Sequence, residues 1–335
     1  MVGIDIGTKS IKVIELARSG EAWVLKASGA VGFVGISPDK ATDEKELQAI
    51  SDVLAKMVKQ IGISSKEVNL SLPESSVFTR VIKFPLLSDE EVSAAVKWEA
   101  EQYVPIPINE AVVEYMILEK NDKTNSTSVL LMAAPKAVVE KYVKVMRLAD
   151  LTPVFAETEL TATARALASN DGIFLILDLG SSATDMSIVK NGMLVFTRSI
   201  PVAGDAFTRA VAQGLNINLG QAEGYKKTYG LSSTQLEGKV KAALDPVFSL
   251  VVDEVKKAIH FYQTEEKGEL PSSILITGGA STMPDIVPYL TEKLGIETIF
   301  GNPFAKVSLD PETVKAMAPY LSLYSTAVGL AMREE

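Results

Sequence analysis

The chain has 335 residues, of which 47% are hydrophobic, and its formal net charge is −9 at pH 7. This length favours two or more domains, and the negative charge argues against a nucleic-acid surface or direct docking on anionic lipid. The absence of cysteine excludes disulfides, and the single histidine, His260, excludes a multi-histidine zinc site. The apolar runs are shorter than the ~20 residues of a membrane span, and no secretion leader precedes the first strand, so the sequence predicts a cytoplasmic protein.

The first half of the chain predicts an α/β lobe that carries an insertion. Ser88 and Glu91 form a capping-box pattern that starts a helix, and Pro105 ends it. This helix belongs to a strand–helix–strand–strand insertion over residues 76–134. The predicted elements are strands at 2–6, 11–16, 23–27, 67–72, 77–84, 112–119 and 129–133, with helices at 43–61, 88–103 and 136–148.

The second half, from about Gly172, also alternates strands with helices, which predicts a second α/β lobe with a mixed sheet. Asn191 and Gly192 are typical of a type I′ hairpin turn. The predicted elements are strands at 173–177, 185–189, 193–199 and 273–277, with helices at 205–214, 219–229, 246–264, from 283 onward, and 320–332.

Two near-identical turns, Asp5-Ile6-Gly7-Thr8 and Asp178-Leu179-Gly180-Ser181, lie half the chain apart. Each joins two predicted strands. The glycine lets the backbone approach an anion closely, and an aspartate at a strand end can hold magnesium directly or through water. Taken alone, the first turn fits two interpretations about equally well: a phosphate-binding turn, or an ordinary hairpin with Lys12 on a solvated strand face. Because the motif occurs twice, we predict that both turns grip one polyphosphate.

The phosphate-binding residues predicted around these turns are Gly7, Thr8, Lys9, Ser10, Lys12, Gly180, Ser181 and Ser182, and the predicted metal ligands are Asp5 and Asp178. A third glycine element, at Gly278, Gly279 and Ser281, follows a strand and is suited to hold a base or ribose. No Walker A or Gly-x-Gly-x-x-Gly pattern occurs in the sequence.

Three further groups of residues have competing interpretations. Glu223 and Lys226, three apart on a helix, form either a surface ion pair or contacts to ribose and adenine. Glu157 and Glu159 either complement a helix dipole or orient a water at the γ-phosphate, and Glu157 is the preferred candidate for that catalytic role. His260 is interpreted as a solvated surface residue.

Over nearly its whole length the chain resembles the actin-like ATPase superfamily. The two aspartate turns resemble its phosphate motifs, and Ile276-Thr277-Gly278-Gly279-Ala280 resembles its adenosine motif. Residues 157–166 and 325–330 are similar to its two connecting helices, and the helix with Glu223 and Lys226 resembles that of the cell-division protein FtsA.

Within that superfamily, the segment 97–108 and the strand after the first turn resemble the type IV pilus assembly family PilM. The resemblance implies an α/β, actin-like (ribonuclease H-like) two-lobed fold with mixed sheets flanked by helices and an FtsA-type inserted subdomain. The implied divisions are 1–75 with 148–170 and 312–335 for the first lobe, 76–147 for the insertion, 171–206 with 272–311 for the second lobe, and 207–271 for a helical subdomain.

The implied ligands are ATP and Mg²⁺, and the implied partner is the N-terminal cytoplasmic tail of the membrane protein PilN, in a groove between the first lobe and the insertion. Trp98 either lines that groove or, as is commoner for tryptophan, packs against its own lobe. Contact with pilus motor ATPases and self-association stay open. The chain ends after the second connecting helix, so we expect membrane recruitment through a protein partner rather than through an amphipathic helix.

The leading hypothesis is a nucleotide-switched scaffold with slow ATP turnover at most. The alternatives are an FtsA-like filament-forming protein and a small-molecule kinase of the same superfamily. A kinase needs a second substrate pocket with a positioned base, and the sequence shows no separate cluster for one.

Overall fold

The computed structural model describes residues 1–20, 22–33 and 37–334. Residues 21, 34–36 and 335, which belong to the predicted first-lobe segments, lie outside the described residues. None of the described helices combines the length and apolar character that crossing a membrane requires.

The first lobe is built on a six-stranded sheet whose strands lie side by side in the order β14 (Val307–Ser308), β3 (Ala22–Gly32), β2 (Ser10–Ser19), β1 (Val2–Ile6), β4 (Glu67–Leu72) and β8 (Thr152–Thr158). Strand β1 (Val2–Ile6), in the middle of the sheet, is buried at all five positions, Asp5 included. The Asp43 side chain caps α1 by accepting from the Glu46 N–H, and Gly62 ends the helix in the left-handed conformation. The elements up to the insertion are β1 (Val2–Ile6), β2 (Ser10–Ser19), β3 (Ala22–Gly32), α1 (Glu44–Ile61) and β4 (Glu67–Leu72).

The insertion is a three-stranded sheet, in the order β5 (Phe78–Pro85), β7 (Ser126–Pro135) and β6 (Ala111–Asn121), with one helix on one face. The predicted order of its elements is confirmed, and so is the capping box between Ser88 and Glu91. The prediction that Trp98 packs against its own lobe is wrong. Trp98 lies on the outer face of the helix with 64% of its surface exposed. The elements are β5 (Phe78–Pro85), α2 (Asp89–Tyr103), β6 (Ala111–Asn121) and β7 (Ser126–Pro135).

The helix that follows, α3 (Lys136–Leu148), packs on the first lobe. Its buried residues Tyr142, Val145 and Met146 share a core with α1 and β4. The compact fold of the insertion is therefore confined to β5 through β7, although its predicted span of 76–147 includes most of α3.

The second lobe has a five-stranded sheet in the order β11 (Met193–Ile200), β10 (Thr184–Lys190), β9 (Ile173–Leu179), β12 (Ser273–Thr277) and β13 (Thr298–Phe300). The connecting elements before it are β8 (Thr152–Thr158) and α4 (Glu159–Leu167). The lobe comprises β9 (Ile173–Leu179), β10 (Thr184–Lys190), β11 (Met193–Ile200), α5 (Gly204–Leu215), α6 (Leu219–Tyr229), α7 (Lys239–Thr264), β12 (Ser273–Thr277), α8 (Ile286–Leu294) and β13 (Thr298–Phe300). The chain then returns to the first lobe through β14 (Val307–Ser308), α9 (Pro311–Met317) and α10 (Ser325–Ala331).

Three predicted helix starts differ from the structure. Helix α7 begins at Lys239, before Pro246, because burial of Val240, Leu244 and Phe248 stabilises the turns around the proline. The predicted helix from 283 begins at Ile286, after a 3₁₀ turn over Gly279–Thr282. The predicted helix at 320–332 is a 3₁₀ helix over Ala318–Tyr324 followed by α10.

Helices α4 and α10 cross between the two lobes. Helix α4 packs on the second-lobe sheet and α10 on the first-lobe sheet. The crossing is so close that a Cβ on Gly329 would lie 1.8 Å from the Ala162 carbonyl oxygen. The Thr163 and Thr326 hydroxyl groups are hydrogen-bonded across the same contact, at 3.0 Å.

The insertion also rests on the second lobe. Leu118 and Leu130 of the insertion share a buried apolar cluster with Leu160 of α4 and Leu194 of β11. An ion pair of 2.6 Å between Lys83 and Glu266 joins the same two parts. The insertion therefore bridges the lobes.

Candidate functional site

The β1–β2 and β9–β10 hairpins have the same local geometry. The Gly7 N–H donates to the Ser10 carbonyl at 3.0 Å, and the Gly180 N–H donates to the Ala183 carbonyl at 3.1 Å. In the first hairpin Asp5 is paired across the strands with Lys12, and in the second Asp178 is paired with Asp185. The two hairpins thus differ in the residue that faces the aspartate, a lysine in one and a second aspartate in the other.

The two hairpins face each other across a cleft of about 460 Å³. The Thr8 and Ser182 hydroxyl oxygens, 174 positions apart in the chain, lie 3.0 Å from each other. Lys9 forms an ion pair with Asp205 of α5 across the same gap. The first N–H groups of α5 donate to the carbonyls of Gly180 and Ser181, which fixes the second turn. Two turns that are far apart in the sequence therefore lie side by side at one cleft.

Lys12 lies on the floor of the cleft rather than on a solvated strand face. Its Nζ is 2.9 Å from Oδ2 of Asp5, and Oδ1 of Asp5 accepts from the Ser71 hydroxyl at 3.1 Å. Burial lowers the pKa of Lys12, but the adjacent Asp5 carboxylate outweighs that effect, so the net pKa is raised. Lys12 is a fixed positive charge suited to an anion.

A group of carboxylates surrounds this lysine. Burial and the charge of Asp185 raise the pKa of Asp178 to about 7, and burial raises the pKa of Asp185 to about 6. Burial, together with the charges of Asp5 and Asp185, raises the pKa of Glu159 well above its ordinary value. Like charges gathered in a desolvated cleft favour either bound protons or a bound cation.

The carboxylates suit a magnesium ion. Oδ1 of Asp185 is buried without a hydrogen-bond partner. Mg²⁺ prefers carboxylate oxygens and keeps several waters when it binds beside phosphates. Among residues 1–20, 22–33 and 37–334, no three His, Asp or Glu side chains are placed to bind a metal by themselves. Water or phosphate oxygens would therefore have to complete the coordination of an ion here.

The third glycine element closes the cleft on the second-lobe side. Gly278 has φ +86°, and a Cβ there would lie 2.2 Å from Oδ1 of Asp178, so the site requires glycine. Gly279 lines the cleft together with Thr282, Met283 and Tyr320. Ser281 was predicted to contact the ligand, but it is buried and its hydroxyl donates to the Gly278 carbonyl at 2.7 Å. Its role in the described structure is to hold the turn.

Glu223 and Lys226 are a partly buried pair at the cleft rather than a surface ion pair. Lys226 is 5% exposed, and its Nζ is 2.7 Å from Glu223 Oε2 and 2.9 Å from the Thr208 hydroxyl. It also donates to the Gly204 carbonyl at 3.0 Å. Burial opposes ionisation of Glu223, but hydrogen bonds from Lys226 and Thr208 outweigh it and lower its pKa to about 2.

Glu157 does not line the cleft, which corrects the catalytic role preferred for it. Strand β8 runs to Thr158, so Glu157 is a strand residue, and its buried carboxylate is held by two arginines rather than by groups of the cleft. Arg165 holds its carboxylate by two bonds of 2.5 and 2.6 Å, and Arg333 adds a third of 2.9 Å. Glu159, the first residue of α4, lies in the cleft instead.

The other predicted site residues come together in the cleft. They are Asp5, Gly7, Thr8, Lys9, Ser10, Lys12, Asp178, Gly180, Ser181, Ser182, Glu223, Lys226, Gly278 and Gly279. The interpretation of His260 as a surface residue is confirmed by its exposure.

The sequence interpretation missed Asp185. The signal was available, because alignment of the two turns places Asp185 where the first turn has Lys12. It also passed over Asp205, the partner of Lys9, which no local pattern identifies.

The comparisons with known proteins agree with this architecture. A family profile described as type IV pilus assembly protein PilM matches residues 3–335. The solved structure described as the PilM-PilN type IV pilus biogenesis complex has a chain with 26% identity and a TM-score of 0.84, covering 99% of this chain and 97% of that one.

Two further matches are more distant, one in sequence and one in structure. The cell division protein FtsA of Enterococcus hirae is 24% identical over 339 residues, which covers 88% of this chain and 76% of FtsA. MreB5 of Spiroplasma citri bound to AMPPNP has a TM-score of 0.56 at 14% identity, covering 98% of this chain and 93% of that one. The fold is thus the actin-like ATPase fold, and because the family profile spans nearly the whole sequence, the chain belongs to the type IV pilus assembly protein PilM family.

Proposed function

We propose that this chain is an ATP-binding scaffold of the type IV pilus assembly machinery, held at the cytoplasmic side of the inner membrane by a protein partner. The observation that carries the proposal is the meeting of the two glycine turns, with the Thr8 and Ser182 hydroxyls 3.0 Å apart in the cleft that also contains Lys12, whose side chain is 11% exposed. Backbone N–H groups, hydroxyls and a lysine from two lobes suit the phosphates of a nucleotide. A neighbour of the same fold, MreB5, is described as bound to AMPPNP.

In this proposal Asp5, Asp178 and Asp185 hold Mg²⁺ beside the phosphates, partly through water. The ion would supply positive charge among carboxylates that otherwise repel each other. The base would lie against Gly279, Met283 and Tyr320, and Glu223, oriented by Lys226, would contact the ribose.

Turnover of ATP is expected to be slow. Hydrolysis needs a carboxylate or amide within reach of the attacking water, and Glu159 is the candidate in the cleft. Because burial and neighbouring negative charges favour the protonated form of Glu159, it is a weak base unless Mg²⁺ restores its charge.

The partner in this proposal is the cytoplasmic tail of a PilN-type membrane protein, in a groove between the first lobe and the insertion. The similar solved structure is described as a PilM-PilN complex, which supports a partner of that kind. Membership of the PilM family supports the same assignment. Contact with motor ATPases would be a further part of the assembly, to be tested separately.

Calorimetry with MgATP tests the nucleotide part. The wild type should bind, and an Asp5→Ala, Asp178→Ala double variant should bind at least about tenfold more weakly, a loss of about 1.4 kcal/mol. Unchanged affinity in a variant that keeps its circular dichroism spectrum would remove the basis of the proposal. Sedimentation with MgATP tests the FtsA-like alternative, which requires filaments.

A further inference from the structure

An ion pair between Lys9 and Asp205 joins the two lobes at the cleft. Lys9 belongs to the first turn, and Asp205, 196 positions later, belongs to the first turn of α5. Both residues line the cleft, and their side chains are 58% and 33% exposed. The pair is therefore accessible to solvent and to any anion that enters the cleft.

The pair lies beside the contact between the two turns. The Asp205 N–H donates to the Ser181 carbonyl at 2.8 Å, which ties the start of α5 to the second turn. Thr8, next to Lys9 in the chain, has its hydroxyl oxygen 3.0 Å from that of Ser182. The ion pair and the hydroxyl contact are thus two neighbouring bridges across one gap.

Lys9 adds to a group of positive charges at this end of the cleft. Lys226 and Lys227 are paired with Glu223, at 2.7 and 3.2 Å. The pKa of Lys226 is lowered by burial and, more weakly, by the charges of Lys9 and Lys227, although Glu223 opposes the shift. Lys9 is therefore within electrostatic reach of Lys226, and Asp205 is the carboxylate that neutralises Lys9.

A phosphate between the turns and the Asp205 carboxylate would need the same ammonium group. Both are anions that bind an ammonium group through charge-assisted hydrogen bonds. An interaction that a protein makes in the free state and gives up on binding shifts the equilibrium towards the free state. The ion pair would therefore oppose the binding of a phosphate that takes Lys9.

We propose that Asp205 competes with the phosphates of the nucleotide for Lys9, so that it lowers nucleotide affinity and bridges the two turns whenever Lys9 is paired with it. This inference rests on the proposed function, which supplies the nucleotide. Because exposed ion pairs contribute little free energy, the competition lowers affinity by about two- to fivefold. A weak bridge of this kind can be exchanged for a phosphate, whereas breaking a buried ion pair would cost far more.

Calorimetry with MgATP on the full chain tests the competition. Asp205→Asn keeps the side-chain shape but removes the charge, so it should bind MgATP about two- to fivefold more tightly than the wild type does. Asp205→Ser also removes the charge and suits a helix start, so it should change the affinity in the same direction. Asp150→Asn is the matched control, because Asp150 pairs with Lys66 on an exposed surface and does not line the cleft. The control should keep the wild-type affinity.

A Lys9→Met background separates the ion pair from a general effect of charge. Lys9→Met alone should weaken MgATP binding, because it removes a cation from the phosphates. Adding Asp205→Asn to Lys9→Met should then change the affinity by less than about twofold, since no ammonium group is left to compete for.

Cross-linking measures the bridge without nucleotide. The chain has no cysteine, so a Thr8→Cys, Ser182→Cys double variant contains only these two thiols. Because the two hydroxyl oxygens of the wild type are 3.0 Å apart, the thiols should form a disulfide on oxidation. Adding Asp205→Asn should slow that reaction at least about twofold, and adding Asp150→Asn should not.

The outcomes distinguish this inference from the proposed function. Suppose that the wild type binds MgATP, but Asp205→Asn binds it no more tightly, or keeps its full gain in affinity in the Lys9→Met background. Asp205 is then not a competitor for Lys9, although the nucleotide-binding function stands. An unchanged cross-linking rate with Asp205→Asn would overturn the bridge between the turns. If the wild type does not bind MgATP, the proposed function and the competition are both overturned.

Discussion

Gly278 lies so close to Asp178 that a methyl group on its Cα would come within 2.2 Å of the Asp178 carboxylate. The turn that contains Gly278 and the turn between β9 and β10 are thereby packed as a unit. A single Cβ at position 278 would have to displace the aspartate that we assign to magnesium.

Gly278→Ala should therefore impair both stability and MgATP binding. The positive φ alone costs about 1 kcal/mol or more, and the collision adds to it. We expect a free energy of unfolding lower by at least about 2 kcal/mol and no thermal shift on addition of MgATP. Gly295→Ala is the control, because Gly295 has φ +68° but open space around it, so it should be destabilised by strain alone and keep the MgATP shift. An equal MgATP response in both variants would contradict the assignment.

Lys226→Met tests the buried cation at the cleft. Lys226 is 5% exposed and has three polar partners, so its removal leaves Glu223 and Thr208 poorly paired. We expect a loss of about 1–3 kcal/mol in stability and at least tenfold weaker MgATP binding. Lys227→Met is the matched control, since Lys227 also pairs with Glu223, at 3.2 Å, but has a side chain that is 67% exposed. The control should change stability by less than about 1 kcal/mol.

Glu157 and Glu159 should have different roles, one in stability and the other in phosphate release. Glu159→Gln should abolish whatever slow phosphate release the wild type shows, while MgATP still binds, because Glu159 is the carboxylate in the cleft. Glu157→Gln should keep that release but lower the free energy of unfolding by about 1–3 kcal/mol, because it weakens the contacts with Arg165 and Arg333. A phosphate-release assay paired with thermal unfolding measures both effects, and the reverse pattern would restore the role predicted for Glu157.

Glu74 should make the free protein less stable as the pH rises. It is 4% exposed, and burial together with the charge of Asp185 raises its pKa to about 7. Between the unfolded pKa of about 4.5 and the folded value, the folded state binds more protons than the unfolded state, so the free energy of unfolding falls across this range. At about 1.4 kcal/mol per pKa unit, the loss approaches about 3 kcal/mol.

The variant Glu74→Gln resembles the protonated form, so at about pH 8 it should be more stable than the wild type, and near pH 5 the difference should vanish. The exposed Glu67 provides the control Glu67→Gln, which should follow the wild type at every pH. Denaturant unfolding at several pH values measures both variants, and a constant offset between Glu74→Gln and wild type would exclude the explanation.

Much of the fold could be predicted from local signals. Caps and periodic apolar residues defined α1 and α2, and the repeated aspartate–glycine turns defined both hairpins. The choice between Glu157 and Glu159 could not be predicted, because it depends on where β8 ends and which way each side chain points. The exposure of Trp98 also depends on tertiary packing, since the pattern of α2 does not show what covers its outer face.

The insertion emerges from the first lobe, yet Leu118 and Leu130 rest on Leu194 of the second. A rotation of one lobe against the other that narrows or widens the cleft must therefore move the insertion as well. If the proposed nucleotide and partner both favour the same lobe angle, thermodynamic reciprocity requires each to alter the other's affinity by the same factor.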